Sequence, residues 1–214
     1  MKQKKLVLVG AGGLCREVFW QLDEIGEIYT QYNIVGVIDD YNMSVGVKNL
    51  PFLGDDQWLI GYQNDINAVI CVGNVIKRKE IYLKLHKKDN ICFPTIIADG
   101  VKYSDSVIFG QGCIICLSNI FTVDISIGSF VIINPNCTIC HDVKIGDFVT
   151  LSPGVNIAGN VCIGSNSEIG IGSSVIQGVN IGKNVKIGAG SIVVRDIPDN
   201  CTAVGIPAKP IKFH

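Results

Sequence analysis

The sequence predicts a two-part chain, with a small α/β domain in residues 1–94 and a solenoid of short parallel strands in residues 95–214. Before residue 95, short apolar runs alternate with longer segments of helical spacing. That alternation is typical of a parallel sheet flanked by helices. After residue 95 the helical spacing ends and a six-residue rhythm begins, which is typical of stacked repeats that bury one continuous core.

Three short runs rich in β-branched residues predict the strands of the first part, because each is bounded by Gly, Asn or Asp. They span residues 6–9, 34–38 and 68–72. The remaining segments carry apolar residues at helical spacing, which predicts helices over residues 15–25, 55–62 and 77–86.

A glycine-rich loop follows the first predicted strand and precedes the first predicted helix. It contains Gly10, Gly12 and Gly13. Backbone amides at such a turn, with a helix N-terminus behind them, suit a pyrophosphate. Asp39 and Asp40 end the second predicted strand, where a carboxylate can accept hydrogen bonds from ribose hydroxyls.

This loop taken alone is typical of an NAD site, but two features oppose that interpretation. Cys15 stands where the third glycine of the G-x-G-x-x-G pattern belongs. Three strands are also few for a dinucleotide fold, which is usually built from two halves. A dinucleotide site and a purely structural turn both stay open beside a site for another nucleotide.

The second part carries two interleaved series of small or aliphatic residues at a six-residue period. Side chains two apart in a strand share a face, so each hexad sends one large and one smaller side chain inward and then turns. Glycine often follows the large residue, where we expect the corner to need a permissive backbone. The large series is Ile127, Ile133, Ile139, Ile145, Leu151, Ile157, Ile163, Ile169, Val175, Ile181, Ile187 and Val193.

The pair Ile-Gly recurs every 18 residues, at 127, 145, 163 and 181. This longer period predicts three hexads per turn and a triangular cross-section. The hexapeptides of the form Ile-Gly-x-x-Val-x resemble the left-handed β-helix of bacterial acyltransferases, and the ending Gly205-Ile-Pro-Ala-Lys209 is similar to the closing motif of that superfamily.

With its N-terminal domain, the whole chain resembles the sialic acid O-acetyltransferases and the bacillosamine-type nucleotide-sugar N-acetyltransferases. The resemblance implies an acetyl-CoA-dependent acyltransferase that works as a homotrimer, with a cofactor groove between packed prisms. It also implies that the N-terminal domain holds the nucleotide of a nucleotide-linked sugar. Arg78 matches the basic residue of the family's Gly-Asn-x-x-x-Arg pattern near that ligand, here Gly73-Asn74 and Arg78.

His141 is the one histidine of three that lies within the repeat. The segment from His141-Asp142 to Asp147 is similar to the family segment that contains the catalytic base, and Asn134 matches an active-site asparagine of the sugar N-acetyltransferases. An imidazole can accept a proton near neutral pH, as acyl transfer from a thioester requires. We therefore expect His141 to deprotonate the attacking sugar amine and Asp142 to increase its basicity, with direct transfer and no covalent enzyme intermediate.

The resemblance also places four residues beside the pantetheine arm of acetyl-CoA: Thr150, Gly159, Ile171 and Ala189. A backbone amide near Gly159 would stabilise the oxyanion of the tetrahedral intermediate. Thr150 departs from the family, in which a histidine often stands at this position. A hydroxyl can still donate a hydrogen bond there.

The cysteines match two metal-type patterns that the hexad phase opposes. Cys137-x-x-Cys140-His141 has the haem-attachment form, and Cys113-x-x-Cys116 adds a zinc-type spacing. The two pairs lie one turn plus one hexad apart, so they should occupy different sides of the prism and cannot hold one tetrahedral ion. We expect packing and corner roles for these cysteines, and no metal.

Bulk composition excludes several partners. The net charge is −1 and the pI is near 6.3, so no global field attracts nucleic acid or an anionic membrane. No apolar stretch reaches the roughly 18 residues that span a bilayer, and the basic start lacks the pattern of a signal peptide. We expect a cytoplasmic protein with reduced cysteines.

Three competing functions remain beside N-acetylation of a nucleotide-linked amino-deoxy sugar. O-acetylation of sialic acid or a related sugar hydroxyl would use the same base and cofactor. A nicotinamide-binding protein would use the solenoid only as an oligomerisation scaffold. A zinc hydratase on a similar β-helix is disfavoured, because a three-histidine site needs more than one histidine in the repeat.

Overall fold

The computed structural model describes residues 3–24, 28–40, 47 and 50–214. The chain divides into two compact units, Met1–Pro94 and Thr95–His214. None of the helices in the described residues is long and apolar enough to cross a membrane.

The N-terminal unit is a five-stranded parallel sheet with helices between its strands. The strands are β1 Lys4–Val9, β2 Tyr32–Ile38, β3 Phe52–Gly54, β4 Ile66–Ile70 and β5 Ile91–Cys92, in the order β3-β2-β1-β4-β5. The helices are α1 Gly13–Phe19, α2 Asp56–Gly61 and α3 Val75–Leu85, with a π-helical turn Trp20–Glu24 and a 3-10 turn Ile28–Gln31. The central strand β1 is buried from Leu6 to Val9, as expected for a parallel sheet covered on both faces.

The predicted elements of this unit are present, with differences at their ends. Strands β3 and β5 were not predicted, because three and two residues on the sheet edges are too short to show a period. Strand β4 begins two residues before its predicted start. The first helix ends at Phe19 and continues as the π-helical turn, while residue 25, the predicted end, lies outside the described residues.

The C-terminal unit is a left-handed parallel β-helix with three sides, which confirms the predicted fold class. Its three sides are sheets 2 to 4, the sheet of the N-terminal unit being sheet 1. Sheet 2 contains β6 Ile96–Ile97, β8 Ile114–Ile115, β11 Ile132–Ile133, β14 Thr150–Leu151, β17 Glu168–Ile169, β20 Lys186–Ile187, β22 Cys201–Gly205 and β23 Ala208–Phe213. Sheet 3 contains β9 Ile120–Phe121, β12 Thr138–Ile139, β15 Asn156–Ile157, β18 Ser174–Val175 and β21 Ile192–Val193. Sheet 4 contains β7 Ile108–Phe109, β10 Ser126–Ile127, β13 Lys144–Ile145, β16 Cys162–Ile163 and β19 Asn180–Ile181.

Successive turns of the β-helix, called laps below, form parallel strand pairs between residues 18 positions apart. Ile127 pairs with Ile145, and Ile139 pairs with Ile157. The predicted large series is buried throughout, with at most 3% of any side chain exposed between Ile127 and Val193. The final strand β23 departs from the repeat and pairs antiparallel with β22.

Three serines occupy the inward small-residue position, which is apolar in most other hexads and holds the buried Asn119 in one. Ser167 and Ser173 are fully buried, and their hydroxyls donate to the carbonyls of Gly182 and Gly188 at 2.8 and 2.9 Å. Ser191 Oγ accepts a hydrogen bond from the Gly205 amide at 3.1 Å. Each buried hydroxyl therefore has a partner, which removes the penalty for burying it.

The glycines that directly follow the large series differ from the expectation that they supply backbone freedom at the corners. Left-handed φ values occur two residues after the Gly128-type position, at residues such as Phe130, Asn166 and Asn184. Gly164 has no left-handed φ, but a Cβ there would lie 2.6 Å from the Gly182 carbonyl carbon of the next lap. Most of these glycines are required by close backbone approach and none by a left-handed φ, so the expected role of a permissive backbone at these positions was wrong.

Candidate active site

His141 lies on a corner of the β-helix, directly after β12. Its side chain is 50% exposed, and its Nδ1 is 2.8 Å from Asp142 Oδ2. An ionised carboxylate can only accept hydrogen bonds, so this contact places the hydrogen of a neutral imidazole on Nδ1. Nε2 then carries the lone pair and can accept a proton from a ligand.

Asp142 combines this contact with a structural task at the corner. Its φ is +61°, one of the left-handed values that recur along the helix. Asp and Asn adopt this region more readily than other residues with a side chain. The residue type that suits the corner therefore also supplies the carboxylate that holds the imidazole.

Gly159 lies one lap beyond His141, at the same corner. The carbonyl of His141 accepts a hydrogen bond from the Asn160 amide at 2.8 Å, which ties the two laps together. Within the described part of the chain the Gly159 amide donates no hydrogen bond. It therefore retains the capacity to donate to an oxyanion.

Asn134 directly follows β11, and His141 lies seven residues later, at the corner after β12. The Asn134 side-chain amide donates to the Leu151 carbonyl at 2.8 Å. The corner at residues 135–136 and strand β12 separate Asn134 from the next corner, where His141 lies. A single chain therefore does not bring these two predicted residues together.

The predicted cofactor residues other than Gly159 lie on sheet 2 and the corner that follows it. Thr150 is part of β14 and is partly buried. Ile171 is 55% exposed, and its carbonyl accepts a hydrogen bond from the Gly190 amide at 2.8 Å, next to exposed Ala189. The candidate residues thus border both ends of sheet 3, with His141 at one end and Ile171 at the other.

In the N-terminal unit, a cleft of about 300 Å³ brings together five of the six residues predicted there to bind substrate. It opens at the carboxyl ends of β1, β2 and β4, where the strand order reverses. Ligands of open α/β sheets bind at such a switch point. The residues are Gly10, Gly12, Gly13, Asp39 and Asp40.

Hydrogen bonds fix the glycine loop at the base of this cleft. The Gly10 amide donates to the Ile38 carbonyl at 2.8 Å, and the Ala11 amide donates to Asp39 Oδ2 at 2.7 Å. Gly10 has a left-handed φ of +97°, and a Cβ there would lie 2.8 Å from Val72 Cγ2. Only glycine fits at this position.

Arg78 has a different environment from the one its motif implies. Its side chain is 1% exposed, and Nη1 donates to the carbonyls of Val72 and Gly73, both at 2.9 Å. Val72 and Gly73 line the cleft, whereas Arg78 does not. The guanidinium supports the turn between β4 and α3 from behind.

Two charged side chains that the sequence analysis did not select also line the cleft: Lys77 and Asp56. Asp56 accepts a hydrogen bond from Lys84 Nζ at 3.0 Å. This hydrogen bond raises the pKa of Lys84 above its ordinary value, and the Lys84 ammonium offsets the charge of Asp56. Lys77 could have been identified only from the sheet order, because α3 follows β4, which pairs with β1.

The paired cysteines take the positions predicted from the hexad phase. Cys113 precedes β8 on sheet 2, and Cys137 precedes β12 on sheet 3, so the two pairs belong to different sides. Burial raises the pKa of the Cys137 thiol to about 11. Among the residues that the structure describes, no cluster of His, Cys, Asp and Glu could hold a metal ion.

Comparison with known families and structures agrees with both halves of this architecture. The family model for the PglD N-terminal domain matches residues 5–85, and the model for the bacterial transferase hexapeptide, with six repeats, matches residues 124–159. The acetyltransferase domain of PglB from Neisseria gonorrhoeae FA1090, solved in complex with acetyl coenzyme A, is 30% identical. The match covers 98% of this chain and 100% of that chain, with a TM-score of 0.87.

This chain belongs to the hexapeptide-repeat acetyltransferases. A mutant GDP-perosamine N-acetyltransferase from Caulobacter crescentus, in complex with CoA and GDP-perosamine, is 28% identical over 97% of both chains, with a TM-score of 0.86. WeeI from Acinetobacter baumannii AYE is 26% identical over 98% of this chain and 100% of that chain, with a TM-score of 0.87. No curated protein matches the chain significantly by sequence. The family resemblance and the enzyme class predicted from the sequence are confirmed.

Proposed function

We propose that this acetyltransferase uses acetyl-CoA to acetylate the amino group of a nucleotide-linked amino-deoxy sugar. The observation that carries the proposal is the half-exposed His141 imidazole, held through Nδ1 by Asp142 and lying against Gly159. Base, orienting carboxylate and oxyanion donor are the groups that acyl transfer to an amine requires. The related Caulobacter and Neisseria proteins, crystallised with CoA and GDP-perosamine and with acetyl coenzyme A, support the choice of ligands.

In the proposed reaction His141 Nε2 removes a proton from the sugar amine as its nitrogen attacks the thioester carbonyl carbon. The carbon–nitrogen bond forms, the carbonyl oxygen becomes an oxyanion, and the Gly159 amide donates to it. The carbon–sulfur bond then breaks, and the proton held on His141 passes to the leaving thiolate of CoA. Asp142 stabilises the imidazolium that exists between these two transfers.

We propose that the cleft of the N-terminal unit holds the nucleotide. The space above Gly12 is open, and a Cβ on Gly13 would meet only Arg16, at 3.9 Å, so a phosphate can approach the backbone closely. Lys77 supplies a positive charge beside this loop. Asp39 and Asp40 can accept from ribose hydroxyls, while Arg78 acts as a support for the turn.

We propose that the working assembly is a homotrimer. Asn134, Thr150, Ile171 and Ala189 lie away from the His141 corner within one chain. A second chain packed against sheet 3 would bring one copy's set to the other copy's base. Light scattering should give three times the chain mass of 23.1 kDa, whereas a monomer that is fully active would exclude the shared site.

Thiol release from acetyl-CoA, measured with UDP-, dTDP- and GDP-linked amino sugars, tests the reaction. We expect release with at least one nucleotide-linked amino sugar. Release with free sialic acid alone would support O-acetylation instead. Binding of a reduced nicotinamide without acyl transfer would support the scaffold alternative.

His141→Ala should lower kcat by about 10²- to 10⁴-fold, the usual contribution of a positioned base. Because the side chain is half exposed, the melting temperature should stay within the error of the wild type. His86→Ala, at the end of α3, is the matched control and should retain full activity. Histidine-to-alanine and histidine-to-asparagine mutants of the Caulobacter enzyme were solved in complex with CoA and GDP-perosamine. Near-normal turnover in His141→Ala would exclude His141 as the base.

A further inference from the structure

The imidazole of His141 occupies the place where a side chain of Gly159 would be. A Cβ built on Gly159 would lie 2.5 Å from His141 Nε2 and 3.0 Å from Nδ1, and closer still to Cε1. These three ring atoms are its nearest neighbours. The ring therefore lies over the Gly159 Cα, with Asp142 bound at its Nδ1 edge.

The backbone around Gly159 is fixed on both sides by neighbouring laps. The Asn160 amide donates to the His141 carbonyl at 2.8 Å, and the Gly178 amide donates to the Gly159 carbonyl at 3.0 Å. A side chain at residue 159 could therefore not be accommodated by moving the main chain. The imidazole would have to rotate away.

Gly159 also differs from Gly164 and Gly170. Its φ is outside the left-handed region, so alanine could adopt its conformation. At Gly164 and Gly170 an added Cβ would collide with backbone atoms, whereas at Gly159 it would collide with one side chain. Packing of the β-helix does not explain this glycine, but seating the imidazole does.

We infer that Gly159 is a positioning residue for His141, in addition to its proposed role as an amide donor. The absent side chain leaves a space, the seat, that the imidazole fills, while Asp142 binds its Nδ1. Together these two contacts fix the position of Nε2. This inference rests on the proposed function of His141 as the base.

Gly159→Ala separates the seat from the amide, because alanine keeps the N–H and the backbone conformation. We expect kcat to fall by about 10²-fold, the scale of a 1 Å misplacement of a reacting group. KM for acetyl-CoA and the melting temperature should change little. A raised KM with an unchanged kcat would overturn the inference, since the methyl group would then act on the cofactor.

The matched control is the same substitution in the His141→Ala background, where no ring is present to be displaced. There Gly159→Ala should cause no further loss of residual turnover. An equal fall in both backgrounds would show that residue 159 acts independently of the imidazole and would overturn the inference.

Histidine ring signals in ¹³C-labelled protein provide a readout that does not depend on activity. The His141→Ala spectrum assigns the His141 signal among the three histidines. Gly159→Ala should shift the His141 signal and leave those of His86 and His214 in place. An unmoved His141 signal refutes the seat, whereas a shifted signal in a protein whose His141→Ala variant is fully active refutes the proposed function alone.

Discussion

The glycines of the two units meet different physical constraints. In the N-terminal unit, a Cβ on Gly12 would meet no atom within 4 Å, and the residue lines the candidate nucleotide cleft. In the β-helix, a Cβ on Gly164 would lie 2.6 Å from two backbone atoms of the next lap. At Gly12 the missing side chain leaves open space in the candidate cleft, whereas at Gly164 it leaves room for the backbone of the next turn of the β-helix. Binding and stability can therefore be perturbed separately.

Of the changes that test this difference, Gly164→Ala is expected to have the largest effect, a loss of stability of the β-helix. The methyl group must displace backbone that is hydrogen-bonded in two laps, and overpacking of this kind costs about 3 kcal/mol. We expect the urea midpoint of the C-terminal unit, followed by far-UV circular dichroism, to fall accordingly. Ser152→Ala, at the same place in its hexad, is the control and should leave the midpoint unchanged. An unshifted midpoint in Gly164→Ala would contradict the close backbone approach.

A smaller effect, on affinity rather than stability, is expected from Gly12→Ala. The added methyl group would stand where a phosphate approaches, so the dissociation constant of the nucleotide sugar should rise about tenfold, or ~1.4 kcal/mol. The melting temperature should not change. Gly61→Ala is the matched control, because a Cβ there also meets nothing but lies outside the cleft. Equal affinity for Gly12→Ala and Gly61→Ala would argue against a nucleotide at this loop.

The smallest expected effect is a difference in alkylation between two cysteines, and measuring it requires no mutation. Burial raises the pKa of Cys137 to about 11, and the thiolate is the form that alkylating reagents attack. At pH 8 iodoacetamide should therefore modify exposed Cys92 in the N-terminal unit and leave Cys137 unmodified, as read by peptide mass spectrometry. Modification of Cys137 should increase as the pH rises towards 11 and become rapid in urea. Rapid alkylation of Cys137 in the folded protein would show that the β-helix opens locally.

The β-helix was more predictable from the sequence than the N-terminal unit, for a physical reason. Each lap repeats the same inward positions, so one apolar residue such as Ile145 is supported by equivalents 18 residues away. Strand β3, with three residues on a sheet edge, has no such support. The corner glycines were interpreted wrongly because spacing shows where a glycine lies but not whether φ or a neighbouring backbone requires it.

The residues of the candidate site likewise differ in how far the sequence could predict them. His141 and Asp142 are adjacent in sequence, so their contact could be anticipated from the chain itself. Lys77 enters the cleft only because α3 follows β4 beside β1, which no local pattern reveals. Arg78 matches a family motif, but its guanidinium turns towards the loop carbonyls, and only the three-dimensional structure shows that direction.

The 18-residue register spaces equivalent residues of the C-terminal unit evenly along the β-helix. Every lap advances the chain by one strand spacing, about 4.8 Å, so Ile171 and Ala189 are one strand spacing apart, as are His141 and Gly159. Inserting or removing 18 residues would move every residue beyond that point by one strand spacing along the β-helix. The same side chains would still face inward. The length available for an elongated ligand along this surface can therefore change in whole steps, independently of the chemistry at the corner.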